Sequence, residues 1–130
     1  MPITALYAGL LAPLFILLSI RVIDVRRTAR ISIGHGDDPE LLRRMRVHAN
    51  FAEYVPFVLI SLALAESLGT SAYILHAVGL IFIFGRYVHA FGLSQTPQIM
   101  RLRMTGMIAT LTAIGAVGLV CLFEAIARLI

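Results

Sequence analysis

The sequence contains no lysine, a single cysteine and few charged residues for its length. Only 14% of its 130 residues are charged, whereas a soluble domain has roughly a quarter of its residues charged. This shortage excludes an ordinary soluble enzyme, a disordered tail and a disulfide-stabilised scaffold. One cysteine cannot form an internal disulfide bond or a CxxC zinc site. Because lysine is absent, all 11 basic residues are arginines, and guanidinium groups carry the net charge of +4.

What the chain has in abundance is hydrophobic sequence, at 59% of its residues. A helix needs about 20 apolar residues to cross the hydrocarbon core of a bilayer, and four stretches qualify: 3–20, 47–65, 72–91 and 104–127. With their flanking residues they predict helices over 3–30, 39–67, 71–92 and 97–128. We therefore expect a single all-α membrane domain, residues 1–130, folded as a four-helix bundle. Gly106 and Thr110 form a small-residue pair that lets neighbouring helices approach closely.

Glycine, proline and aspartate residues mark the predicted helix boundaries. Gly34 and Gly36 are expected to end the first helix after its polar extension. Asp38 followed by Pro39 is typical of a helix start, with Asp38 as the N-cap and Pro39 in the first turn. Pro97 is predicted to lie in the first turn of the fourth helix for the same reason. These signals leave short connections between the four helices.

The distribution of arginines predicts the orientation in the membrane. Ten of the eleven arginines fall at the end of the bundle that holds the first and third connections, and only Arg128 falls at the other end. With the acidic residues included, the charges are +5 and −1, which agree with the overall +4. The positive end is expected to face the cytoplasm, so that both termini lie outside it.

Polar residues inside the second span share one helix face. Arg46, Asn50, Glu53 and Phe57 are separated by four, three and four positions, a spacing that stacks them along the helix. Glu53 lies about 9 Å into the apolar stretch, where an unpaired carboxylate is expensive. We therefore expect a cationic partner for Glu53, and Arg86 of the third span is the predicted one.

Further positive charge gathers at the same level. His89 shares a face with Arg86 in the third span, and arginines of the first and fourth spans can converge on them: Arg27, Arg30, Arg101 and Arg103. Glu53 needs only one cationic partner, so the remaining arginines leave positive charge that favours binding of an anion. A purely structural salt bridge between Glu53 and Arg86 is the alternative. The loop arginines Arg21, Arg43 and Arg44 are interpreted as anchors for lipid headgroups.

Neither cysteine nor histidine spacing supplies a nucleophile or a metal site there. Cys121 lies 18 residues beyond Arg103, about 27 Å along a helix, and is expected to face lipid or pack in the core. The four histidines lack HxxxH and HExxH spacing, so no metal is expected. If the site carries out nucleophilic chemistry, its nucleophile must therefore arrive with the ligand. A ligand with two carboxylates, an amine and a thiol suits these groups, because arginines bind carboxylates in a fork and stabilise a thiolate.

The segments that carry these residues resemble the MAPEG family, the membrane-associated proteins in eicosanoid and glutathione metabolism. Residues 46–56, RVHANFAEYVP, resemble the second-helix signature of the family. Residues 22–30 resemble the end of its first helix, residues 85–89 its third helix and residues 103–106 the beginning of its fourth. The resemblance covers nearly the whole chain. The short termini and compact loops resemble those of bacterial family members. Within the family, the chain is most similar in type to the microsomal glutathione transferases.

This resemblance implies a homotrimer in the bacterial inner membrane, with glutathione bound between adjacent subunits near the cytoplasmic side. It implies that glutathione is a co-substrate for transferase or peroxidase chemistry on lipophilic electrophiles, with no nucleic-acid partner. Arg103 matches the fourth-helix arginine that holds the thiolate. Arg27 matches a first-helix arginine with a role toward the second substrate, and Arg26 or Arg30 can take that position instead. The positions that match glutathione contacts are Arg46, Asn50, Glu53, Tyr54, Arg86 and His89.

The chain departs from the eicosanoid-synthesising members at two tyrosine positions. Leu93 stands where one tyrosine follows the third-helix polar pair, and Met107 or Ile108 stands where the other follows the fourth-helix arginine. The alternative function is a non-catalytic trimer that binds lipid or a protein partner through the same arginines. A small four-helix exporter is the least favoured class, because such proteins carry a carboxylate within the first span and residues 3–20 contain none.

Overall fold

The structure, a computed structural model, describes all 130 residues and consists of four long α-helices. They are α1 (Pro2–Ala29), α2 (Pro39–Ser67), α3 (Ala72–Ser94) and α4 (Met100–Leu129). Even the shortest, with 23 residues, is about 35 Å long at 1.5 Å per residue. That exceeds the hydrocarbon thickness of about 30 Å. All four helices are long and apolar enough to cross a membrane, so the prediction of an all-α, four-span chain is confirmed.

The outer surface of the bundle is apolar. Only 27 of the 130 residues are buried within the chain, and large side chains such as Leu119 and Phe123 point outward. A thin core runs along the axis and takes residues from every helix, among them Leu11, Val58, Phe82 and Val117. This is the arrangement that a lipid environment stabilises, because lipid-facing side chains need no protein cover.

Helices α3 and α4 form the closest pair of the bundle. A Cβ atom added at Gly106 would overlap the backbone nitrogen of His89, and one added at Gly85 would lie 2.9 Å from the carbonyl oxygen of Gly106. Thr110, one turn after Gly106, is fully buried in the same contact. The predicted small-residue pair therefore serves packing within the chain. Helix α1 packs against α2 and α3, and α4 does not pack against α1.

The first connection begins and ends within one residue of the boundaries that the sequence predicts. Both the Glu40 and Leu41 amides donate to the Asp38 carboxylate at 2.9 Å, so Asp38 is the N-cap of α2. Helix α1 already ends at Ala29, because Arg30 adopts a left-handed conformation with φ of 56°. The observed end lies one residue before the predicted one, residue 30, and Gly34 and Gly36 fall in the connection.

The fourth helix begins later than predicted. It starts at Met100, with Ile99 extended as its N-cap, so Pro97 lies in the connection and not in the first helical turn. The amide of Ile99 donates to the carbonyl of Gly92 at 3.0 Å, which ties this connection to the end of α3. Residues 95–99 therefore form a short loop above the α3–α4 contact. We refer to the end of the bundle with this loop and the α1–α2 connection as the arginine-rich end.

Candidate functional site

A polar pocket of about 510 Å³ opens at the arginine-rich end, between the start of α2, the end of α3 and the 95–99 loop. Its lining includes three arginines and one histidine but no acidic residue. The lining residues are Pro39, Leu42, Arg43, Arg46, Asn50, His89, Leu93, Gln95, Thr96, Pro97, Gln98 and Arg103. The volume is within the range of small-molecule sites, roughly 300–1,000 Å³. A pocket with this charge is suited to an anion.

Helix α2 supplies one wall of the polar pocket. Arg43, Arg46 and Asn50 follow one another at three and four positions, which places them on one face of the helix. The Arg43 guanidinium donates to the carbonyl of Gln95 and to the Glu40 carboxylate, both at 3.2 Å. Arg46 is exposed and has no acidic partner in the chain. Its charge is therefore free to meet a ligand.

Arg86 lies behind this wall and fixes Asn50. Its side chain is 1% exposed, and it donates to the Asn50 side-chain oxygen at 2.8 Å and to the Thr110 hydroxyl at 3.0 Å. The Tyr54 ring also faces the guanidinium, whose central carbon lies 5.3 Å from the ring centroid. Because the Asn50 oxygen is engaged, the amide NH2 group is the part of Asn50 left to donate into the pocket.

His89 and Arg103 form the opposite wall. The ring of His89 is buried, and its Nδ1 atom lies 2.9 Å from the backbone carbonyl oxygen of Arg103. Gly106 makes this approach of α3 to α4 possible, because it has no side chain to separate the two backbones. The Arg103 guanidinium donates to the side-chain oxygen of Gln98 at 2.9 Å and has no acidic partner. It therefore adds a second unpaired charge to the pocket.

The predicted ion pair between Glu53 and Arg86 is wrong for this chain. Glu53 is exposed on the outside of α2 and forms no salt bridge or hydrogen bond, while Asn50 and Thr110 take the place of the carboxylate beside Arg86. Residues three apart on a helix differ by about 60° around its axis. That angle turns Asn50 toward α3 and leaves Glu53 facing outward.

The other predicted site residues lie at different places. Tyr54 is half-buried against Arg86 and does not line the polar pocket. Arg27 and Arg30 are exposed beside a separate shallow depression at the end of α1. Arg26, the other candidate there, donates to the carbonyl of Gly34 at 2.9 Å and so supports the α1–α2 connection. Of the predicted set, the structure brings four residues together in the pocket: Arg46, Asn50, His89 and Arg103.

Sequence reasoning missed two contributions to the pocket. Arg43, interpreted as a lipid anchor, lines it instead. Its position three residues before Arg46 was the signal, because that spacing puts both on one helix face. Gln95 and Gln98 enter through the conformation of the loop, for which the sequence gives no periodic signal. Leu93, which replaces a family tyrosine, also lines the pocket, whereas Ile108 faces outward.

The opposite end of the bundle has no comparable pocket, and its polar groups are paired. The Glu66 carboxylate accepts from the amides of Ile3 and Thr4 at 3.0 and 2.8 Å and thereby caps the start of α1. Glu124 forms an ion pair with Arg128. Cys121 is half-buried in α4, where its thiol donates to the carbonyl of Ser61 at 3.2 Å.

Comparison with known proteins gives a consistent result over the whole bundle. The model of the MAPEG family matches residues 4–123, which include parts of all four helices. The chain is 32% identical over 112 residues to Inner membrane protein YecN of Escherichia coli strain K12, a match that covers 86% of this chain and 84% of YecN. The protein of the same name from Escherichia coli O6:H1 matches with the same identity and coverage.

Proposed function

The chain belongs to the MAPEG family as a multi-pass inner membrane protein, and on this basis we propose that it binds glutathione in the polar pocket. There it forms a glutathione thiolate that attacks lipophilic electrophiles delivered through the bilayer, as a transferase or a peroxidase. The observation that carries this proposal is the lining of the pocket, which contains three arginines and no acid.

Each wall of the pocket matches a different part of glutathione. Arg46 and Arg43 on α2 are placed to bind carboxylates in charge-assisted hydrogen bonds. Asn50, held by Arg86, presents its amide NH2 group to a carbonyl or carboxylate oxygen. Arg103 stabilises the thiolate, because a nearby guanidinium favours the charged form of a thiol. The positive mouth also raises the local concentration of an anionic peptide.

Two exposed residues on α2 support assembly as a homotrimer with sites between subunits. Glu53 and Phe57 both face outward within the spanning part of α2. A carboxylate facing lipid at this depth is expensive, so a neighbouring copy is the natural cover. In that assembly Glu53 can meet the ammonium group of glutathione. Arg27, also exposed, is then the candidate for contact with the second substrate.

The positive-inside rule places the polar pocket on the cytoplasmic side. Ten arginines lie at that end of the bundle, and both termini lie at the other, outside the cytoplasm. Glutathione is then taken up from the cytoplasm, and lipophilic electrophiles enter from the membrane.

The test is glutathione binding and thiolate formation by the purified protein in detergent. Calorimetry is expected to show binding of both glutathione and S-methylglutathione, and only glutathione is expected to produce the ultraviolet thiolate band. Arg103→Ala should still bind glutathione but lose most of the thiolate, with turnover of an aryl halide reduced about 100-fold. Arg101→Ala is the matched control, because Arg101 is exposed two positions away and does not line the pocket.

The alternative function is a non-catalytic trimer that binds lipid or a protein partner. Leu93 favours it, because an apolar side chain lines the pocket where eicosanoid-synthesising relatives have a tyrosine hydroxyl. In that case the unmodified protein binds no glutathione, and Arg103→Ala changes nothing in the calorimeter. Binding of glutathione without a thiolate band would leave the ligand assignment in place and remove the catalytic one.

A further inference from the structure

His89 is the one side chain in the polar pocket that can take up a proton near neutral pH. The other lining residues are arginines, amides, one hydroxyl and apolar side chains. Guanidinium groups stay protonated, and amides and hydroxyls do not accept protons in this range. All carboxylates of the chain lie outside the lining. If a thiol loses its proton to the protein in this pocket, His89 is the acceptor that the structure offers.

The hydrogen bond of His89 fixes which ring nitrogen is free. Its Nδ1 atom lies 2.9 Å from the backbone carbonyl oxygen of Arg103. A carbonyl oxygen only accepts, so Nδ1 must carry the hydrogen, and in the neutral ring Nε2 is then the atom with the lone pair. Nε2 forms no hydrogen bond within the chain, and this atom is not fully buried. Because His89 lines the pocket, Nε2 is the ring atom available to accept a proton there.

We propose that Nε2 of His89 accepts the thiol proton of bound glutathione, an assignment that rests on the proposed function. The S–H bond breaks and its electron pair stays on sulfur, while the proton forms the Nε2–H bond. A thiolate and an imidazolium thereby replace a thiol and a neutral imidazole. The thiolate then attacks the electrophile, and the imidazolium returns its proton to the leaving group or to water in the pocket.

The charges around His89 favour a protonated ring only while the thiolate is present. The guanidinium of Arg86, three residues earlier on α3, and that of Arg103 on α4 both oppose a positive ring in the empty pocket. The thiolate supplies the negative charge that offsets this repulsion. Throughout, the Arg103 carbonyl keeps its hydrogen bond to Nδ1, so the ring does not turn as it gains and loses the proton.

The position of the acceptor is set by rigid packing. Because Gly106 brings the α3 and α4 backbones into contact at His89, the ring is held beside Arg103 itself. The two residues proposed to stabilise the thiolate and to take its proton are thus joined by one hydrogen bond, from the His89 ring to the backbone carbonyl of Arg103. Both residues line the same pocket, so one bound thiol can be offered to both.

The first experiment compares the rate of thiolate formation in two histidine variants by stopped-flow absorbance. His89→Asn keeps a donor for the Arg103 carbonyl and removes the base, so we expect thiolate formation to be about 100-fold slower and the Kd of glutathione to change little. Added imidazole should restore the rate in proportion to its concentration. His48→Asn is the control, because His48 hydrogen-bonds to Ser19 outside the pocket. A wild-type rate in His89→Asn, or a slow rate that imidazole does not raise, overturns the proposal.

A second measurement uses the unmodified protein and does not depend on any variant folding. With nitrogen-15 labelled histidine, one of the four histidines should change from neutral to doubly protonated when glutathione is added, and none should do so with S-methylglutathione. Four unchanged histidines in the presence of the thiolate band overturn the proposal. Absence of both glutathione binding and the band overturns the proposed function instead, so the two failures are distinguishable.

Discussion

The two ends of the bundle differ in how completely their charged groups are paired within the chain. At the end with the termini, the Glu66 carboxylate caps α1 and Glu124 pairs with Arg128. At the arginine-rich end, Arg46 and Arg103 have no acidic partner, although they face a common pocket. The charges at the first end have partners within the chain, whereas these two pocket arginines have no ion-pair partner.

Under the proposed function, this difference marks the end of the bundle at which a bound anion would act. Charges paired inside the chain stabilise the fold and need nothing further. Charges of one sign that converge on a cavity repel one another, and an anion relieves that repulsion on binding. Variants at the end with the termini should therefore change stability, whereas variants of the pocket arginines should change ligand affinity.

The largest effect is expected where the pocket wall depends on backbone contact. Gly106→Ala puts a methyl group onto the backbone of His89, which should destabilise the protein by about 3 kcal/mol and abolish glutathione binding. Gly115→Ala is the matched control, because no atom lies within 4 Å of the added Cβ. Unfolding in mixed detergent and calorimetry measure the two effects. Equal stability of the two variants would contradict the close α3–α4 contact.

The next largest effect is a difference in glutathione affinity between variants of the unpaired Arg46 and of the paired Arg128. Arg46→Met removes a charge-assisted contact to the ligand, so glutathione affinity should fall about 10- to 100-fold with little change in unfolding. Arg128→Met removes the ion pair with Glu124 at the opposite end and should leave the Kd of glutathione unchanged. A loss of affinity in Arg128→Met would show that the two ends are coupled.

A smaller effect is expected from the helix cap at the opposite end. Glu66→Gln keeps the shape of the side chain but replaces the carboxylate that accepts from the amides of Ile3 and Thr4. An anion at a helix N-terminus is stabilising, so the melting temperature should fall slightly while glutathione affinity stays the same. Glu53→Gln tests the reverse case: Glu53 has no partner in the chain and is proposed to meet the ammonium group of glutathione, so this variant should lower glutathione affinity.

The smallest effect is expected from salt. An increase in ionic strength from about 0.01 M to 0.15 M shortens the Debye length from about 30 Å to about 8 Å. Glutathione affinity should therefore fall several-fold, and it should fall less in Arg46→Met. Binding that is insensitive to salt in both proteins would indicate that the open pocket does not act through charge.

The parts of the fold that sequence predicted are those that depend on local periodicity. Four apolar stretches gave four helices, and the Asp38–Pro39 pair marked the start of α2. Arg46 and Asn50 were found for the same reason, since their spacing puts them on one face. Arg103 and His89 needed only the expectation that antiparallel helices bring their ends together.

The errors arose where the angle around a helix or the path of a loop decides the contact. Glu53 and Asn50 lie on the same broad face of α2, but α3 contacts only part of that face. Asn50 therefore reaches Arg86 and Glu53 does not. Pro97 is a plausible first-turn residue by sequence, yet the Ile99 amide bonds back to Gly92 and delays α4. The homotrimer, and with it the partner of Glu53, stays a prediction.

The α3–α4 contact has a consequence for how the pocket opens and closes. His89 and Arg103 lie on two helices whose backbones touch at Gly106, so this contact holds the two residues in a fixed arrangement. The 95–99 loop is joined to α2 by one hydrogen bond, from Arg43 to the carbonyl of Gln95 at 3.2 Å. If the proposed function is correct, we expect the ligand to exchange through breakage of that bond. The residence time of a product would then depend on Arg43, while His89 and Arg103 keep their geometry.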